Sequence, residues 1–78
     1  MNPEKLSTIL AILNPAIIMM IMEKKGLTNI EAVKLFYNSK VYAMLENEES
    51  KLWHLSALTL YDLFDEELTT GIVNYPEA

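Results

Sequence analysis

Residues 9–22 read Ile-Leu-Ala-Ile-Leu-Asn-Pro-Ala-Ile-Ile-Met-Met-Ile-Met, and only Asn14 and Pro15 interrupt the apolar run. At 100° per residue, Leu6, Ile9, Leu10, Leu13, Ile17, Met20 and Ile21 fall on one stripe, the spacing of an amphipathic helix. The opposite side is mixed: Ser7, Thr8 and Asn14 share it with Ala11, Ile18 and Met22. A helix apolar nearly all round needs partners on two sides. In so short a chain the second partner is expected to be another copy. Ile18 and Met22, which lie off the main stripe, are the expected contacts of a homodimer.

Pro15 leaves two readings open. Its ring lacks an N–H and clashes with the carbonyl of Ala11, which costs about 3 kcal/mol in a helix interior. Either Asn14 caps a new helix with Pro15 at its first position, or one helix continues and bends away from Pro15 around the core. No membrane span is expected. Residues 9–22 cover roughly 21 Å at about 1.5 Å each, against about 30 Å of bilayer core, and Ser7, Thr8 and the Asn14–Pro15 pair weaken any longer run. A signal peptide is not expected either, because no basic leader or small-residue cleavage site accompanies the run.

The whole chain of 78 residues corresponds to a single domain, residues 1–78. A chain of this size is marginal without extra support. With no cysteine, neither a disulfide nor a Cys-ligated metal can supply it. The absence of disulfides fits a reducing, cytoplasmic setting. Dense packing or oligomerisation remains, and a composition that is 51% hydrophobic permits both. The net charge is −5, and all six basic residues are Lys. Without Arg, an acidic chain is a poor match for phosphate and guanine contacts, so no nucleic acid partner is expected. Seven of the 11 acidic residues lie between Glu46 and Glu67, where Lys51 is the only lysine. That acidic region is read chiefly as a solvated helix face.

Taken in order, Asn2 or Ser7 opens the first helix and Glu23-Lys24-Lys25-Gly26 closes it, with lysines at the negative end of the dipole and glycine in the left-handed closing position. Thr28-Asn29-Ile30-Glu31 is a capping box. It starts a helix over residues 29–38 whose apolar side carries Ile30, Val33, Phe36 and Tyr37, with Val41 continuing the series. Ser39 caps a short helix from Lys40 to about Glu46, with Tyr42 and Leu45 facing inward. Residues 47–50 form a polar connector. Residues 51–55 are expected to be a short extended piece that lays Leu52, Trp53 or Leu55 onto the core, with Trp53 favoured as the plug that anchors it. Ser56 caps the last helix, which points Ala57, Leu60, Tyr61, Leu63, Phe64 and Leu68 inward and ends before Gly71. Residues 72–78 form a tail that docks or frays. The sum is an all-α bundle of four or five helices around residues 9–22.

Chemistry is sparse. His54 is the only imidazole, and as a general base it would need a nucleophile and an orienting carboxylate. Ser56 already serves as a cap, so no catalytic residue is assigned. No cofactor or metal is assigned either: Gly26 and Gly71 form no phosphate loop, and the carboxylates lack an EF-hand pattern. The leading expectation is a non-enzymatic interaction or regulatory module that forms a homodimer and has a protein partner. The alternative is a small ligand- or metal-binding protein using the turn at Trp53 and His54.

Gly26–Ser39, Val41–Leu45 and Lys51–Ser56 together carry a Gly-Leu capping turn, a Leu-Phe-Tyr helix and a Trp-His-Leu-Ser turn before the last helix. In these features, and in the leading apolar helix, the chain resembles a group of small all-helical bacterial proteins of unknown function. Such proteins are often encoded near mobile-element or toxin–antitoxin-like genes. The resemblance implies a regulatory or partner-binding role and supplies no catalytic residue.

Overall fold

The computed structural model describes residues 3–73, and every regular element among them is helical. The order is α1 (Pro3–Lys25), α2 (Asn29–Tyr37), α3 (Lys40–Leu45), two single 3-10 turns (Glu48–Ser50 and Leu52–His54) and α4 (Ala57–Thr70). The expected all-α class is therefore what the chain adopts. α1 packs against both α2 and α4, and α3 packs against α2 and α4.

α1 runs through Pro15 without a break. The proline is exposed, and so is Ala11, whose carbonyl loses its helical donor. Water can reach that carbonyl, which is why one helix survives where a buried proline would have split it. Asn14 is thus an interior helical residue and not a cap. Continuity also removes the length argument against a membrane span. Residues 4–25 form a helix long and apolar enough to cross a bilayer.

The ends of the other helices follow local chemistry. Thr28 Oγ1 accepts from Glu31 N (3.3 Å), and Thr28 N donates to Glu31 Oε1 (3.0 Å). The Thr28 N–H, and the Thr28 hydroxyl that also donates to Glu31 Oε1 at 2.9 Å, hold the Glu31 carboxyl below its ordinary range. Ser39 Oγ accepts from Tyr42 N (3.1 Å), and Ser56 Oγ accepts from Thr59 N (3.2 Å). Gly26 and Gly71 take positive φ at the ends of α1 and α4, the region open to a residue without a Cβ. Lys51 is the one non-glycine residue with positive φ among those described. It joins the two 3-10 turns, so residues 51–55 are not the extended piece expected. Five residues bounded by a left-handed kink and a helix cap have room for only a tight turn.

The core is built from Ile17, Ile18, Ile21, Ala32, Phe36, Val41, Leu45, Leu52, Leu60, Tyr61, Leu63 and Phe64. Phe36 is its aromatic centre, edge-on to Tyr42 and Phe64 at 5.3 and 5.8 Å between ring centroids. Three positions expected inside are outside. Ile30, Tyr37 and Leu68 are exposed: Ala32 and Phe36 centre the buried face of α2, and in the last turn of α4 it is Glu67 that turns toward α3. Ile72 is exposed and Val73 packs against the core. The rest of the expected tail, residues 74–78, lies outside the described residues.

Candidate functional site

The inner face of α1 is turned by roughly 60° from the stripe that periodicity alone suggests. Packing against α2 on one side and α4 on the other widens the buried arc. Ile18, expected on an association surface, is only 7% exposed and belongs to the core. Met22 is half-buried against the same core, and its sulfur lies 3.8 Å from Asn29 Nδ2. Neither residue is therefore left uncovered. The large apolar side chains of α1 that stay uncovered are Ile12, 69% exposed, and Met19, 59% exposed. Around them, Ile9 and Ala16 are half-buried, while Lys5 and Glu23 are exposed. These six residues follow one another at intervals of four and three, so they form a straight seam along the outside of α1.

The position of the seam depends on how the far side of α1 is held. Lys25 Nζ donates to Asp65 Oδ1 at 2.6 Å, and Lys24 Nζ sits 5.7 Å from the centre of the Tyr61 ring. The hydrogen bond to Asp65 raises the Lys25 ammonium above its ordinary range, and partial burial opposes the rise. α4 also reaches α3. Glu67 accepts from Lys40 N (2.9 Å) and Val41 N (3.0 Å), closing the start of α3 with a carboxylate. In return, Lys40 Nζ donates to the carbonyl of Gly71 at 2.8 Å. This reciprocal tie joins residues 26 to 31 positions apart, and no local pattern signals it.

A second feature lies between the inner face of α1 and α3. Leu6, Ser7, Leu10, Ala11, Asn14, Tyr42 and Glu46 line a shallow cleft. Asn14 Oδ1 is buried there with no hydrogen-bond partner among the described residues. Burial, followed by the nearby Glu46 charge, pushes the Tyr42 phenol up.

The turn at Trp53 and His54 is engaged in its own structure. The indole N–H donates to Glu48 O at 2.8 Å, and His54 Nδ1 lies against the Lys51 carbonyl. Trp53 is half-buried beside a shallow depression lined by Asn47, Glu48, Glu49 and Lys51. Leu52, 1% exposed, is the plug expected of Trp53. A 3-10 turn drives one of its three side chains inward, and the smaller leucine fits beneath the connector. Ser50 and Ser56 hydroxyls serve the connector and the α4 cap, so neither is joined to His54. Among the described residues, no three carboxylate or imidazole groups converge on a point that could hold a metal ion.

No family model, curated protein or solved structure matches this chain.

Proposed function

We propose that this chain is a non-enzymatic interaction module that works as a homodimer through the outer face of α1. The supporting observation is the exposure of Ile12 and Met19 on the longest helix, in a seam with Ile9 and Ala16. Apolar side chains aligned along one face of a helix gain most by meeting a second apolar surface. The exposed Glu49 and Asp62 lie outside this seam, where a basic protein partner could reach them. A regulatory role in the cytoplasm is part of this proposal.

A bilayer is the competing destination for α1. Against insertion, Ile17, Ile18 and Ile21 already fill the core, and Lys24 and Lys25 are held by Tyr61 and Asp65. Pulling α1 into lipid would dismantle the fold that the other helices build on it. Sedimentation velocity at micromolar concentration tests the proposal. A dimer mass is expected, together with a monomer mass for Ile12→Glu. Flotation with phosphatidylcholine–phosphatidylglycerol vesicles should leave the protein in the aqueous fraction. A persistent monomer, or a chain that floats with the vesicles, would sink the reading.

A further inference from the structure

We infer that two copies meet with their α1 helices antiparallel, in a register that sets Lys5 of each against Glu23 of the other. The inference rests on the homodimer reading above and adds direction and register to it. The seam is Lys5, Ile9, Ile12, Ala16, Met19 and Glu23, with intervals of four, three, four, three and four. This order of intervals is the same from either end. A second copy laid head to tail therefore matches every position of the seam: Ile9 meets Met19, Ile12 meets Ala16, and Lys5 meets Glu23. A twofold axis between the helices generates each contact twice, as a self-complementary interface requires.

Three physical points favour this arrangement over a parallel one. Charge comes first. A parallel pair in register would set Lys5 against Lys5 and Glu23 against Glu23, whereas the antiparallel pair sets opposite charges together at both ends. The choice depends on this difference between alignments and holds whatever neighbours Lys5 has within its own chain. Size is the second point. Facing Ile12 with Ala16 alternates a large and a small side chain at the middle, which lets the helix axes approach closely. A parallel pair would oppose Ile12 to Ile12 and leave a gap at Ala16. The third point is shape. Glu4, Lys5, Thr8 and Ile9 line a shallow depression at the start of α1. The antiparallel register delivers the other copy's Met19 to this place, and a flexible thioether can fill an irregular surface.

Cysteine pairing decides the register, because the chain has no cysteine of its own. Ile9→Cys and Met19→Cys are made as separate proteins and oxidised with copper–phenanthroline, alone and mixed. In the antiparallel register, residues 9 and 19 of different copies adjoin, while the two residues 9 stand about 15 Å apart along the axis. A disulfide needs Cα atoms within about 7 Å. The mixture should therefore cross-link and each protein alone should not. Cross-linking of Ile9→Cys with itself would overturn the antiparallel register while leaving the homodimer reading intact. A monomer mass for the unmodified chain would overturn both.

Charge reversal provides an independent measurement. Lys5→Glu places like charges together at both ends of the dimer and should weaken association by about tenfold at low salt. Adding Glu23→Lys in the same chain should restore it. If the double variant is as weak as the single one, the pairing of Lys5 with Glu23 is wrong. All four positions are exposed or half-buried, and unchanged circular dichroism should accompany each variant.

Discussion

The two halves of α1 are similar in composition and opposite in fate. From Ile17 onward the helix supplies Ile17, Ile18 and Ile21 to the core, and its last turn is tied down by Lys24 and Lys25. Between Glu4 and Leu13 no residue is fully buried, although Leu6, Ile9, Leu10, Ile12 and Leu13 are as apolar as the later isoleucines. Reach explains the difference. α1 has 23 residues, and α2, α3 and α4 have 9, 6 and 14. At about 1.5 Å per residue, α1 is roughly 34 Å long and the longest of the others only about 21 Å. Hydrophobicity states that a side chain gains by being covered; the lengths and directions of neighbouring helices decide which side chains are.

The largest expected effect contrasts the two halves directly. Ile21→Ala should cost about 2–5 kcal/mol through a core cavity, while Ile12→Ala should change monomer stability by less than about 0.5 kcal/mol. Urea denaturation below the dimer concentration range measures both. Comparable losses would show that the first half of α1 is covered after all.

The second test concerns the connector beneath α1. Leu52→Ala should also cost about 2–5 kcal/mol. Trp53→Ala should cost less, because the indole is only partly buried and its one polar bond goes to a turn carbonyl. Thermal melts followed by circular dichroism would rank the two, and the reverse order would make Trp53 the anchor.

The next effects weaken the scaffold that covers the later half of α1. Glu67→Ala leaves two N–H groups at the start of α3 without their carboxylate and should cost about 1–2 kcal/mol. Hydrogen exchange should then speed up in α3 before α1. Thr28→Ala removes the cap of α2 and should cost about 1 kcal/mol, read as a shift in the denaturation midpoint. No shift would show that the box is dispensable.

The smallest effect is the tie between Lys25 and Asp65, whose side chains are 26% and 48% exposed. Screening by water holds its worth to less than about 1 kcal/mol. Lys25 has a raised pKa in the folded chain. Its contribution is thus complete below the unfolded lysine value, near 10.4, and is lost as pH climbs through the folded value. Lys25→Met should flatten this alkaline loss of stability. An identical alkaline profile for the variant would assign the loss to other groups.

Local pattern was enough for the helices and their punctuation. The capping box at Thr28, the caps at Ser39 and Ser56, and the glycine ends at Gly26 and Gly71 are legible because each depends on groups within a few residues of one another. The all-α class follows from these signals and the 3.6-residue period. Tertiary structure decided what that period cannot. It made α1 one helix by placing Pro15 in water, took Ile18 inside, left Ile12 and Met19 outside, and chose Leu52 over Trp53. It also brought Glu67 to the start of α3. Periodicity defines a direction around one helix axis, but burial depends on where the other axes pass. Those positions are set by the simultaneous packing of all four helices, which no single stretch of chain contains.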